Sequence, residues 1–153
     1  MTEHNIEIEQ VDISDKEVLR RLLEFYVYDF SEYMGWDVDM HGSFGYRYLD
    51  HYWTDLERHP FFIRVDGRLA GFAMVRRGDP HDMVEFFVMR NYRRKRIGQV
   101  AARLVLTSFP GAWEVRQMAE NTGATTFWRS AIPVTFSEEL REGRPVQCFV
   151  VPR

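Results

Sequence analysis

Five basic side chains fall within seven positions, at Arg90, Arg93, Arg94, Lys95 and Arg96, and Ile97, Gly98 and Gln99 follow them. Such a run can solvate a turn, attract a nucleic acid, or cradle a phosphate at the mouth of a helix. Its neighbours favour the cradle. A nearly unbroken apolar stretch, residues 83–89, precedes it, and a helical apolar pattern starts at Ile97. A helix start presents unpaired backbone N–H groups and the positive end of the macrodipole, which suits a phosphate. Gly98 removes a side chain where a ligand could approach the backbone, and the Arg and Lys side chains can add charge-assisted hydrogen bonds. A pyrophosphate group fits this arrangement.

Glu85 is the acid inside the apolar stretch. Burial disfavours the charged carboxylate and raises its pKa towards the range useful to a general base. A structural ion pair with an Arg is the other use of a buried acid. Residues 22–46 hold five acids (Glu24, Asp29, Glu32, Asp37, Asp39), eight aromatic residues including Tyr26, Phe30 and Trp36, and no Lys or Arg. Acids interleaved with aromatic faces suit a cationic amine through charge pairing and cation–π contact. A packed core with a solvated acidic face gives the same composition.

The elements that position these groups follow from local pattern. Residues 6–11 alternate as a short strand, and Ser14 with Glu17 forms a capping box for a helix whose apolar stripe runs from Val18 to Phe30 and stops at Gly35. Residues 35–45 read as a loop and 46–56 as a second, shorter helix. Residues 61–65 and 68–75 form a hairpin around Asp66-Gly67. Residues 83–89 read as a central strand buried on both faces. A helix over 97–108 ends at Pro110 and Gly111, a strand covers 113–118, and Asn121 caps a helix that Pro133 breaks. Residues 134–137 and 146–151 form the last strands, with a turn around Glu142-Gly143. This order predicts an α/β fold, a mixed sheet flanked by helices.

A chain of 153 residues with 45% hydrophobic and 28% charged content predicts a single domain over residues 1–153. A net charge of −3 argues against a nucleic-acid partner, whose binders carry a net basic surface. One cysteine, Cys148, leaves no internal disulfide, and the absence of an export-type leader makes the cytoplasm the expected location. No apolar run reaches the length of a membrane span, and the five histidines show no metal-ligand spacing. Neither a membrane nor a metal is expected.

The stretch EFFVMRNYRRKRIG, Glu85 to Gly98, resembles motif A of the GNAT superfamily of N-acetyltransferases, and NTGATTFW, Asn121 to Trp128, resembles its motif B. The order of strands and helices agrees over nearly the whole chain. The resemblance implies a bacterial-type acetyltransferase fold, a mostly antiparallel sheet with a parallel central pair and about four flanking helices. It implies acetyl-CoA as cosubstrate and transfer of its acetyl group, by direct attack, to a primary amine of a small, cationic acceptor. A monomer or homodimer is expected.

Residue by residue, Arg93 opens the pyrophosphate loop, and backbone N–H groups of Arg94, Lys95, Arg96, Ile97, Gly98 and Gln99 face the coenzyme phosphates. A bulge near Phe87 and Val88 frees backbone groups for the pantetheine arm, and the Val88 amide points at the thioester oxygen. Asn121 bonds the pantetheine and Ala124 gives it room. Glu85 is the candidate base, and Tyr26, Asp29 and Trp36 line the acceptor side. Two positions depart from the motifs. Arg96 stands where the first motif glycine belongs, which an α conformation would tolerate. Trp128 replaces the tyrosine that acts as general acid, and an indole cannot supply that proton. Polyamines, aminoglycosides, amino acids and protein lysines remain as acceptor classes, and a non-catalytic acyl-CoA-binding module remains as the alternative activity.

Overall fold

The computed structural model describes residues 3–153. Strand β1 (Ile6–Gln10) leads through a 3-10 turn into helix α1 (Lys16–Met34), with a one-turn helix α2 (His51–Thr54) after the loop. Strands β2 (Arg58–Val65), β3 (Arg68–Arg76) and β4 (His81–Val88) form an antiparallel meander. Helix α3 (Ile97–Ser108), β5 (Gly111–Arg116), α4 (Thr122–Ala131), β6 (Phe136–Arg141) and β7 (Arg144–Val151) complete the order. The seven strands make one sheet in the order β1-β2-β3-β4-β5-β7-β6, parallel only between β4 and β5. None of the described helices is long and apolar enough to cross a membrane.

Turn chemistry sets both long hairpins. Asp66 and Gly67 take φ of 51° and 80°, and Glu142 and Gly143 take 52° and 79°. Paired positive φ angles suit a two-residue turn whose twist matches the strands it joins. The entry to α1 differs from expectation. Asp12, not Ser14, caps the chain there, its carboxylate accepting from the Ser14 backbone N–H at 2.9 Å and the Ser14 hydroxyl at 2.6 Å. Those bonds hold the Asp12 carboxyl below its ordinary pKa. A charged acceptor two residues upstream outcompetes the hydroxyl. Gly35 ends α1 at φ 66°, its N–H donating to Ser31 O at 2.8 Å.

The helix expected over 46–56 shrinks to α2. Bonds from Leu49 N to Tyr46 O and from His51 N to Tyr48 O close single turns across three residues rather than a continuous helix. Tertiary contacts override the local pattern: Leu49 and Tyr52 are buried, and Trp53 Nε1 donates to Val11 O at 3.1 Å.

Period-two alternation divides the core between the two faces of the sheet. Phe62, Phe72, Met74 and Phe87 meet Leu19, Leu22 and Leu23 of α1 on one face. Phe61, Ala73, Val75 and Met83 meet Ala102, Val105 and Leu106 of α3 on the other, joined by Trp113 and Trp128.

The sheet is not uniformly closed. Strands β4 and β5 share only His81↔Trp113 and Asp82↔Glu114, after which β4 remains paired with β3 alone. The bulge also lies earlier than expected. Met74 faces Glu85 while Val75 faces Met83, so Val84 is the extra residue, and Phe87 and Val88 lie in regular register with Phe72 and Gly71. A bulge bends its strand and increases local twist. Placed just past the last β4–β5 pair, it accompanies the divergence of the two strands. Val84, Glu85 and Phe86 are accordingly only half-buried, which corrects the expectation of a strand covered on both faces.

Candidate active site

The divergence opens a cleft of about 1900 Å³ between β4 and β5, walled by α1 and its following loop on one side and by α3 and α4 on the other. It brings together Tyr26, Asp29, Trp36, Glu85, Phe87, Val88, Arg93, Arg94, Arg96, Gly98, Gln99, Asn121 and Ala124. Two expected residues are not on its wall. Ile97 is fully buried beside Val88 and Ala101, and Lys95 is exposed beyond the rim.

The edge of β4 supplies the floor. Met89 N–H donates to Ala70 O at 2.7 Å, and Gly71 sits opposite Val88. In an antiparallel ladder this makes Gly71 and Val88 a non-hydrogen-bonded pair. The N–H and C=O of Val88 therefore point away from β3, towards the cleft. The backbone of Phe87 points the other way, to Phe72, so its main chain is occupied by the sheet and only its ring reaches the wall. The Val88 carbonyl accepts from Arg93 Nε at 2.8 Å. Gly71 makes this approach possible: a Cβ there would lie 1.9 Å from Phe87 O.

The basic loop forms a 3-10 turn, Arg90–Tyr92, and then enters α3 through two left-handed residues, Arg94 at φ 63° and Arg96 at φ 61°. Arg96 therefore does not take the α conformation that would tolerate a side chain there; it lies in the left-handed region that favours glycine. Helix geometry leaves the N–H groups of Ile97, Gly98 and Gln99 without intrahelical partners at the cleft end of α3. Gly98 has a packing reason as well, since a Cβ there would sit 3.0 Å from the Phe127 ring and 3.5 Å from Val88 Cγ2. The Gln99 side chain turns away, donating to Ser130 O at 3.1 Å. Asn121 caps α4, its Oδ1 accepting from Ala124 N at 3.1 Å, which leaves its amide NH₂ as the group available to a ligand.

Not all the acids of residues 22–46 face the cleft freely. Asp29 accepts from Arg90 at 2.7 Å and Arg93 at 3.0 Å, one on each carboxylate oxygen. Glu24 accepts from the Ser43 hydroxyl and from Phe44 N at 3.0 Å, and Asp39 from the N–H groups of His41 and Ser43. These bonds fold the 35–45 loop against α1. Glu32 and Asp37 line the cleft beside Tyr33 and Trp36, outside the ion pairs of the described residues.

Glu85 shares its side of β4 with the Phe87 ring, facing α1. Burial pushes its carboxyl up to about 7; the Tyr26 hydroxyl pulls against this, and the charge of Asp82 adds to it. Asp82 itself is raised by burial, with Arg116 and Arg76 opposing. Among the described residues no ion pair takes Glu85. Around it stand phenols that stay protonated: Tyr26 and Tyr46 are held well above the ordinary range by burial first and by Glu85 second. Tyr52 is pushed up to about 12 by burial, with Arg58 opposing. Tyr52, Asp82 and Gly71 were not singled out in the sequence, and Tyr46 only as one of the eight aromatic residues of 22–46. Asp82 carried the one usable signal, an acid three residues before Glu85 on the same strand. Trp128 is buried, in edge contact with Phe86 and Phe127 at 5.1 Å each. Among the described residues no group of three or more His, Cys, Asp or Glu is placed to hold a metal ion.

Solved structures share this fold. An acetyltransferase from Thermus thermophilus superposes with a TM-score of 0.74 at 13% identity, covering 95% of this chain and 97% of that one. The ribosomal-protein-S18-alanine N-acetyltransferase from Escherichia coli gives 0.68 at 13%, covering 97% and 96%. The PaiA N-acetyltransferase from Thermoplasma acidophilum, solved in complex with coenzyme A, gives 0.65 at 14%, covering 95% and 99%. At such identities the likeness speaks for the fold. Comparison with curated proteins finds no match. The sequence profile of the acetyltransferase (GNAT) family matches residues 17–131, which contain α1, the splayed strands, the basic loop and both motif helices. The chain therefore belongs to the GNAT acetyltransferase family, and its chemistry is acetyl transfer from acetyl-CoA.

Proposed function

We propose that the protein transfers the acetyl group of acetyl-CoA to a primary amine of a small, cationic acceptor by direct attack in this cleft. The observation that carries the reading is the pairing of a cleft-facing Val88 N–H with Glu85 three residues back on one open strand edge. The N–H is oriented to stabilise charge on the thioester oxygen as the tetrahedral intermediate forms. Glu85, directly or through a water, takes the proton that an alkylammonium of pKa ~10.4 must lose before attack. The departing thiol has a pKa of ~8.5, so it leaves as a tolerable thiolate without a proton from Trp128. The free N–H groups at the start of α3, with Arg94 and Arg96 beside them, suit the coenzyme's pyrophosphate. Asn121 and Ala124 line the opposite side of the pantetheine path. On the acceptor side, Tyr26 and Trp36 offer aromatic faces, and the charge falls to Glu32 and Asp37 because Asp29 is engaged by two arginines.

The test has two stages. Acetyl-CoA should raise the melting temperature, because it binds the native state alone. A panel of polyamines, aminoglycosides, amino acids and lysine peptides should then release thiol, fastest with a cationic small amine. Absence of any acetyl-CoA shift overturns the reading, and a shift without thiol release from any amine leaves a binding module in its place.

A further inference from the structure

Among the side chains of the basic loop, Arg93 is the one turned back on the strand that precedes it. Its Nε donates to Val88 O at 2.8 Å, its guanidinium lies 5.5 Å over the Phe87 ring, and its far nitrogen donates to Asp29 at 3.0 Å. Arg90 grips the other oxygen of the same carboxylate at 2.7 Å. Asp29 comes from α1 and the two arginines from the loop after β4, 61 and 64 positions away in sequence.

Val88 presents both of its backbone groups to the open side of β4. A bare strand edge of that kind is ambivalent, offering a donor and an acceptor side by side, and either can hold a water or pair with an amide. Arg93 biases the choice. One lone pair of the carbonyl is taken and a guanidinium stands over it, so the N–H is the less encumbered group of Val88, and a thioester oxygen, which only accepts, is its matching partner.

We infer that Asp29 is a positioning residue for acetyl transfer: by clamping Arg93 against the Val88 carbonyl, it fixes the end of β4 with the Val88 N–H as its unencumbered donor towards the thioester oxygen. This rests on the proposed role of the Val88 amide. It assigns Asp29 a different task from recognition of the acceptor amine. Asp29 is suited to the clamp because a carboxylate has one oxygen for each arginine, and Arg93 because a guanidinium can reach two acceptors at fixed angles where an ammonium cannot.

Full-length Asp29→Ala, Asp29→Glu, Arg93→Lys and Arg93→Ala are compared with wild type by initial-rate thiol release, varying acetyl-CoA and the best amine separately. Folding is followed by melting temperature, and the Val88 amide proton by NMR with and without acetyl-CoA. Asp29→Ala should lower kcat about tenfold to a hundredfold, with the KM of the amine within about threefold of wild type. Asp29→Glu should recover most of the loss. Arg93→Lys should behave like Arg93→Ala. A loss confined to the KM of the amine would return Asp29 to the acceptor wall and overturn the inference, as would wild-type kcat in Asp29→Ala. Loss of kcat that merely follows a drop in melting temperature, with no recovery in Asp29→Glu, also overturns it. If the wild-type Val88 resonance ignores acetyl-CoA, the amide's proposed role fails and the inference falls with it. If the resonance responds and the variants keep their rates, the inference alone fails.

Discussion

At the scale of single residues, the role proposed for Glu85 joins activity to stability with opposite signs. Its carboxyl stands at about 7 in the folded chain, above an unfolded value of ~4.3. Below ~4.3 both states are protonated and nothing is lost. Between that value and about 7 the folded protein keeps a proton that the unfolded chain releases, so stability declines as pH rises. The decline amounts to about 4 kcal/mol at most once Glu85 is ionised. Glu85→Gln should therefore flatten this part of the stability profile in urea melts, and gain most relative to wild type above pH ~7. The same substitution should lower kcat/KM by about a hundredfold or more and abolish the acidic limb of the rate profile. Full kcat/KM across pH 6 to 9 would remove Glu85 from the mechanism. The suspicion that Glu85 matters was open to sequence reasoning, since an acid in an apolar strand demands a reason. That Tyr26 and Tyr46 meet it was not, because they come from α1 and the following loop.

At the scale of elements, strand β4 and its exit loop owe their path to two backbone requirements. Gly71 lets β3 approach Phe87 O, so Gly71→Ala must push β4 out of register with the cleft. We expect about 3 kcal/mol of destabilisation, with the coenzyme-induced rise in melting temperature reduced alongside it. Arg96 is the reverse case. A non-glycine residue at φ 61° carries roughly 1–2 kcal/mol of strain, so Arg96→Gly should stabilise by up to about 1 kcal/mol after the added flexibility of the unfolded chain. Chemical denaturation checks both. Gly98→Val should damage both coenzyme binding and stability, because the new side chain meets Phe127.

Hairpins, the strand before the basic loop and the helix after it were legible, because turn pairs and apolar periods act locally. Three features were not. The extent of α2 is set by Tyr52 and Trp53 docking on distant strands, the bulge at Val84 by the partner strand, and the fate of Asp29 by arginines some sixty residues away.

At the scale of the whole molecule, the cleft exists because the sheet is two sheets in practice. The meander β1 to β4 and the unit β5-β7-β6 meet at two residue pairs, His81↔Trp113 and Asp82↔Glu114. His81 fastens that meeting point from the side, with Gly78 N–H donating to Nδ1 at 3.0 Å and Nε2 lying 2.9 Å from Pro110 O. The reciprocal Gln117–Gln147 amide pair, extended by Glu138 to Arg129, holds α4 to the second unit. The meander strands β2, β3 and β4 are joined by short turns, whereas β5 reaches β4 only after a helix has intervened. Loop-closure entropy penalises the second connection more. The seam should therefore form late, when the chain folds. Conservative substitutions in β2 and β3 should slow refolding, with φ-values near 0.5 to 0.8, while His81→Gln and Trp113→Phe should mainly speed unfolding, with φ-values below about 0.3. The gap proposed to admit the coenzyme would then be the last part of the sheet to come together and the first to part.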